Sequence, residues 1–165
     1  MEKRDLYDLN RNLTGETIYK GEKYPENRKI LVVTIWIENS DGKFLIQKRK
    51  DNNKWATTGG HPQSGETSIE GIISEVKEEL DLDIKNQKIN FVCSSFDDLV
   101  FVDLYYLKID IDINKLKVQE SEVLSIKWAT LDEIRKLIEK NEFFNKHIDK
   151  YYQLLDYKGI QTLSY

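Results

Sequence analysis

The chain has 165 residues, 39% hydrophobic and 33% charged, with a formal net charge of -4 and a pI near 5.3. That length suits one domain with a sizeable core, and the acidic balance lacks the basic footprint of a duplex nucleic-acid binder. The lone Cys93 excludes an internal disulfide, the apolar run over 30–37 is too short to cross a bilayer, and no apolar leader follows Met1, so the expected address is the cytoplasm.

To about Arg28 the chain is polar and turn-rich, with Gly15, Gly21 and Pro25, and reads as an N-terminal extension over 1–27. Ile30 to Ile37 is rich in β-branched residues and reads as a buried strand. Asn39-Ser40-Asp41-Gly42 marks a turn into a second strand, Phe44 to Arg49, completing a hairpin. A polar loop and the Gly59-Gly60 pair then lead to a helix. Thr67 and Glu70 have capping-box spacing, and Ile69, Ile72, Ile73, Val76 and Leu80 form one apolar stripe. Ile89 to Ser95, Leu99 to Ile109 and Glu122 to Trp128 read as further strands. Thr130 and Glu133 repeat the capping spacing before a second helix carrying Leu131, Ile134, Leu137 and Ile138. A third helix is expected over about 143–156 from Phe144, Ile148, Tyr151, Tyr152 and Leu155. Strands and helices mix without regular βαβ order, which predicts an α/β domain over 1–165, with a mixed sheet and helices on both sides.

Glu75, Glu78 and Glu79 stand three and four residues apart on the first helix, so their carboxylates share a face that points away from the apolar stripe. None has a Lys or Arg three or four positions away to relieve the repulsion. A hard divalent cation would relieve it, since Mg²⁺ prefers oxygen ligands and is often held by carboxylates together with substrate phosphates. A solvated acidic face is the alternative reading.

The segment from Gly60-His61-Pro62-Gln63-Ser64-Gly65-Glu66 through Glu75-Val76-Lys77-Glu78-Glu79-Leu80-Asp81-Leu82 resembles the Nudix box, G-x5-E-x7-R-E-U-x-E-E-x-G-U with U aliphatic. Gly60, Glu66, Glu75, Val76, Glu78, Glu79 and Leu82 match in register, and the resemblance covers most of residues 28–140. It implies an α/β/α sandwich. It also implies a hydrolase that cleaves a diphosphate-containing small molecule, X–P–O–P–Y, by water attack on phosphorus. Glu75, Glu78 and Glu79 would bind Mg²⁺ or Mn²⁺, with the Gly60 carbonyl and Glu66 in support. The base would be a box glutamate or one from the loop before Trp128, where Glu120 and Glu122 lie. Lys48 and Arg49 end a strand near this site; alternation lets only one face the cleft, and Arg49 is favoured. His61 is a further candidate cleft residue. Trp36, Phe96, Phe101 and Tyr105 could stack on a base, although core packing accounts for most of them.

Two positions depart from the box: Ser74 stands where the family has arginine, and Asp81 where it has glycine. The family arginine anchors the first box glutamate and a catalytic one, so its absence weakens the placement of Glu66 and Glu75. Asp tolerates the left-handed conformation that a helix C-terminus requires. Two readings rank behind hydrolysis. One is a weakly catalytic or non-catalytic domain that binds a nucleotide or diphosphate. The other is suggested by Gly60-His61-Pro62-Gln63 and the N-terminal Asp5 to Gly15, which resemble type 1 isopentenyl-diphosphate isomerases. That chemistry needs a cysteine where this chain has Gly59, and upstream histidines where residues 1–60 have none. A homodimer is admissible, though nothing in the sequence fixes an interface.

Overall fold

The computed structural model describes residues 2–161. The centre is a mixed sheet in which β3 (Ile30–Glu38) lies parallel to β8 (Val100–Lys108) along its full length, and β8 pairs antiparallel with β7 (Asn90–Phe96). On its other side β3 meets β4 (Phe44–Arg49) through the Glu38–Phe44 pair and β6 (Thr58–Gly60) through Val33 to Ile35. β4 in turn carries β5 (Trp55–Ala56) and β9 (Val123–Ala129).

Alternation along β3 explains why nearly all of it is buried. Leu31, Val33, Ile35 and Ile37 pack with Ile72, Val76 and Leu80 of α1 (Ser68–Leu80). Trp36 points the other way and packs with Ile134 of α2 (Leu131–Glu139) and Tyr151, Leu154 and Leu155 of α3 (Ile148–Tyr157). The result is the α/β/α sandwich with a mixed sheet. Among the described residues no helix is long and apolar enough to cross a membrane.

The structure differs from the sequence reading at both ends. Residues taken as an irregular extension form an antiparallel hairpin, β1 (Lys3–Tyr7) with β2 (Leu13–Tyr19). Its apolar pattern is thin because Leu6 and Ile18 are the hairpin residues buried against Ile30. Polar contacts hold it instead: Arg11 forks onto Asp103 at 2.7 and 2.5 Å, and Asp103 also accepts the Ser68 hydroxyl at the start of α1. At the C-terminus, Phe143 is not helical. Its ring stacks on Trp36, and Glu142 and Phe144 exchange backbone hydrogen bonds with Trp55, so a 3₁₀ turn over Asn145–His147 intervenes and α3 begins only at Ile148.

Candidate active site

Helix α1 starts and stops on the expected residues. Thr67 accepts from the Glu70 amide while Glu70 reaches back to the Thr67 amide, and Asp81 closes the helix in left-handed geometry. Ile72, Val76 and Leu80 are fixed in the core, whereas Ile69 of the expected stripe stays 43% exposed. The opposite face, with Glu75, Glu78 and Glu79, lines a cleft of about 660 Å³ rather than open solvent.

Two sheet residues bring that about. Gln47, on the same face of β4 as Leu45, donates to Glu79 Oε2 at 2.6 Å and accepts from the Thr58 hydroxyl at 2.8 Å. Gly60 passes so close to Glu75 that an added Cβ would lie 2.3 Å from its carboxylate carbon. The next amide, His61 N, donates to Glu75 Oε1 at 3.1 Å.

Glu79 is only 9% exposed. Burial, together with the charges of Glu79 and Glu78, pushes the Glu75 carboxyl up to about 8. Burial pushes Glu79 up to about 7, against the lowering hydrogen bond from Gln47 and with the charge of Glu122 adding to the rise. Glu78 is raised as well, by burial and then by Glu2 and Glu66. His61 is held down to about 4 by burial and by the charge of Arg4, so its imidazole is neutral at physiological pH.

The cleft gathers Gly60, His61, Glu75, Glu78, Glu79, Arg49 and Glu122 from the predicted set. Glu66 and Lys48 do not line it. Glu66 is turned aside, accepting from the Ser74 hydroxyl at 2.8 Å and from the Gln63 amide at 3.0 Å. Lys48 points to the other side of β4, with its ammonium 5.8 Å from the Trp55 ring centre. Arg49 lies over the Phe144 ring at 3.9 Å and forks onto Asp51. Of the aromatic candidates, Trp36, Phe101 and Tyr105 are core residues, whereas Phe96 lines the cleft and is 74% exposed. Gln47 was not singled out from the sequence; a lone amide following Phe44-Leu45-Ile46 in a buried strand is the signal that marks it. The N-terminal hairpin was also missed as a cleft wall, to which it contributes Glu2 and Arg4.

The donor set suits a hard cation. It is all oxygen, and the burial and mutual repulsion that raise Glu75 and Glu79 are costs that a divalent ion would offset. Among the described residues no three acidic, His or Cys side chains stand close enough together to hold a metal ion as they are placed. Binding a hard divalent ion here would leave part of its coordination to waters and substrate phosphates.

Comparison with known proteins finds related chains. The family model described as NUDIX domain matches residues 28–152. A protein of Listeria innocua named an uncharacterized Nudix hydrolase is 34% identical over 151 residues, covering 87% of this chain and 88% of its own. The dihydroneopterin triphosphate diphosphatase of Escherichia coli is 29% identical over 73 residues, 44% of this chain and 48% of that protein. The crystal structure of DR0079 from Deinococcus radiodurans superposes with a TM-score of 0.78 at 20% identity, covering 92% of this chain and 98% of that one.

Proposed function

The chain belongs to the Nudix family, and on that premise we propose that it hydrolyses a nucleoside-diphosphate-type substrate, X–P–O–P–Y, by water attack on phosphorus. The observation that carries this reading is the convergence of Glu75, Glu78 and Glu79 on one cleft beside the Gly60 turn. Those three glutamates, with the Gly60 carbonyl, would hold Mg²⁺ or Mn²⁺. When bound there, such an ion supplies Lewis acidity toward phosphoryl oxygens and a lowered pKa for water.

The chain's own residues supply the rest. Gln47 orients Glu79 from the sheet side, and the His61 amide orients Glu75. Arg49, in the cleft, offers positive charge to the phosphates. Glu122 lies in the cleft outside the metal set and accepts the proton of the attacking water. Attack forms one P–O bond and breaks the bridging P–O bond, and the departing phosphate takes the electron pair. Phe96, Leu99 and Tyr24 give the cleft an apolar wall suited to a nucleobase.

Ser74 favours a second reading, a domain that binds such a ligand with little turnover, because one neutral hydroxyl replaces the family arginine at Glu66. A panel of dNTPs, NDP-sugars, dinucleotides and prenyl diphosphates separates the two. Turnover that EDTA abolishes and Glu79→Gln eliminates supports hydrolysis and identifies X. Metal-dependent binding of a panel member without turnover supports the second reading.

A further inference from the structure

Arg4, on β1, is the most buried arginine among the described residues, with 9% of its side chain exposed, and it lines the same cleft as Glu75 and Glu78. Its Nε is enclosed and has no partner. Among the described residues its guanidinium makes one hydrogen bond, from Nη2 to Glu2 Oε2 at a long 3.4 Å, and Glu2 is itself 47% exposed. The other arginines are better served: Arg11 forks onto Asp103, Arg49 onto Asp51, and Arg135 onto Asp132 and Glu139. A guanidinium is always charged and carries five donors in a fixed fork, and native proteins rarely bury one without acceptors.

Arg4 is also held in place independently of its own side chain. The Ser64 amide donates to the Lys3 carbonyl at 2.7 Å, and the Asp5 carboxylate accepts from the Ser64 hydroxyl at 2.6 Å and from the Gly65 amide at 3.0 Å. Both neighbours of Arg4 are thereby fastened to the loop that precedes α1, which fixes the Arg4 backbone beside the cleft before any ligand arrives. Lys20 and Lys146 add positive charge to the same cleft from β2's end and from the 3₁₀ turn. The cleft thus has carboxylates along α1, and its other walls carry these cations among further acidic residues such as Glu2, Asp51 and Glu122.

We propose that Arg4 is a substrate-binding residue whose Nη groups, weakly used in the chain itself, take phosphoryl oxygens of the substrate. The inference rests on the diphosphate reading above and extends it to the N-terminal hairpin, outside the residues 28–152 that match the family. A guanidinium fork matches phosphate oxygens in both charge and shape.

The test is calorimetric binding of methylenediphosphonate, a diphosphate that cannot be cleaved, in saturating Mg²⁺. Wild type is compared with Arg4→Met and Arg4→Lys, with binding of Mg²⁺ alone and thermal melting measured in each. Arg4→Met is expected to weaken diphosphonate binding ~10–100-fold, the loss of charge-assisted hydrogen bonds. Arg4→Lys, which keeps the charge without the fork, is expected to lose less. Mg²⁺ affinity stays at the wild-type value, and Tm does not fall, because a poorly paired buried charge gives way to an apolar chain of similar reach. Wild-type diphosphonate affinity in both variants would overturn the proposal, as would a loss that follows equal losses in Mg²⁺ binding. Failure of the wild type itself to bind diphosphonate would overturn the diphosphate reading and this assignment with it.

Discussion

Gln47 and Glu79 are joined by a 2.6 Å hydrogen bond between two buried side chains that come from opposite sides of the cleft's inner wall, strand β4 and helix α1. The Gln47 amide has no freedom to turn, because its oxygen takes the Thr58 hydroxyl at 2.8 Å. Glu79 therefore presents its carboxylate in one orientation before any cation binds. Gln47→Leu keeps the volume and removes the donor. With Glu79 as the proposed metal ligand, it is expected to raise the Mg²⁺ concentration needed for half-maximal activity and to lower kcat/KM ~10–100-fold, the usual cost of losing a partner of such a ligand. A Mg²⁺ titration at fixed substrate checks this, and a wild-type titration curve would remove Gln47 from the site.

Gly60 and Glu75 give a second prediction. A Cβ at residue 60 would lie 2.3 Å from Glu75 Cδ and Oε2, so the carboxylate must move to make room. The atom displaced is the end of a flexible side chain, and the fold can absorb the change. The chemistry cannot, since displacement by an ångström costs on the order of 10²-fold in rate. Gly60→Ala is expected to melt close to wild type and to lose ~10²-fold or more in kcat/KM. Loss of activity in parallel with loss of stability would instead make the glycine structural.

These two contacts also mark where sequence reasoning stops. Ile72, Val76 and Leu80 at helical spacing make α1 readable, and Glu75, Glu78 and Glu79 follow on its other face. Spacing within a helix says nothing of what stands opposite it. Gln47 and Gly60 reach that face from β4 and β6, through long-range strand pairing, and make it part of a partly buried cleft. The hairpin was illegible for a related reason. With Leu6 and Ile18 as its buried apolar residues, period-2 alternation gives almost no signal, and the Arg11–Asp103 fork that secures it spans most of the sequence. Phe143 looked helical from its neighbours, yet stacking on Trp36 and pairing with Trp55 outweigh local preference.

Ser74 supplies the third prediction. Its hydroxyl and the Gln63 amide hold the two oxygens of Glu66, at 2.8 and 3.0 Å, which positions Glu66 without restoring a positive charge beside Glu75. Ser74→Ala removes one hydrogen bond and is expected to cost about 1 kcal/mol of stability with a several-fold fall in kcat/KM. Ser74→Arg supplies the bidentate anchor and is expected to raise kcat/KM, ~10-fold for a gain of about 1.4 kcal/mol in transition-state binding. Steady-state kinetics on the best panel substrate checks both, and a lower rate in Ser74→Arg would show that this chain's site is adapted to the smaller residue.

His147 gives the acid limit of the fold. It is buried, its Nδ1 has no partner, and its ring meets Phe144 edge-on at 4.9 Å. Burial, with the charges of Arg49 and Lys150, holds its pKa down to about 3. The unfolded chain takes up this proton near 6.5 and the folded chain only near 3, so the unfolded state binds more protons in between. Stability is therefore fully present above about pH 6.5 and falls as the pH drops toward 3. Between pH 7.5 and pH 5 this one group is expected to remove ~2 kcal/mol, about 1.4 kcal/mol for each unit below 6.5. His147→Phe keeps an aromatic ring against Phe144 and has no proton to take up, so its stability is expected to fall less over the same range by that amount. Urea unfolding of both proteins at the two pH values measures the difference. Equal losses would mean that the imidazole takes up its proton as readily in the folded state as in the unfolded one, and that the acid sensitivity of the fold resides in its carboxylates.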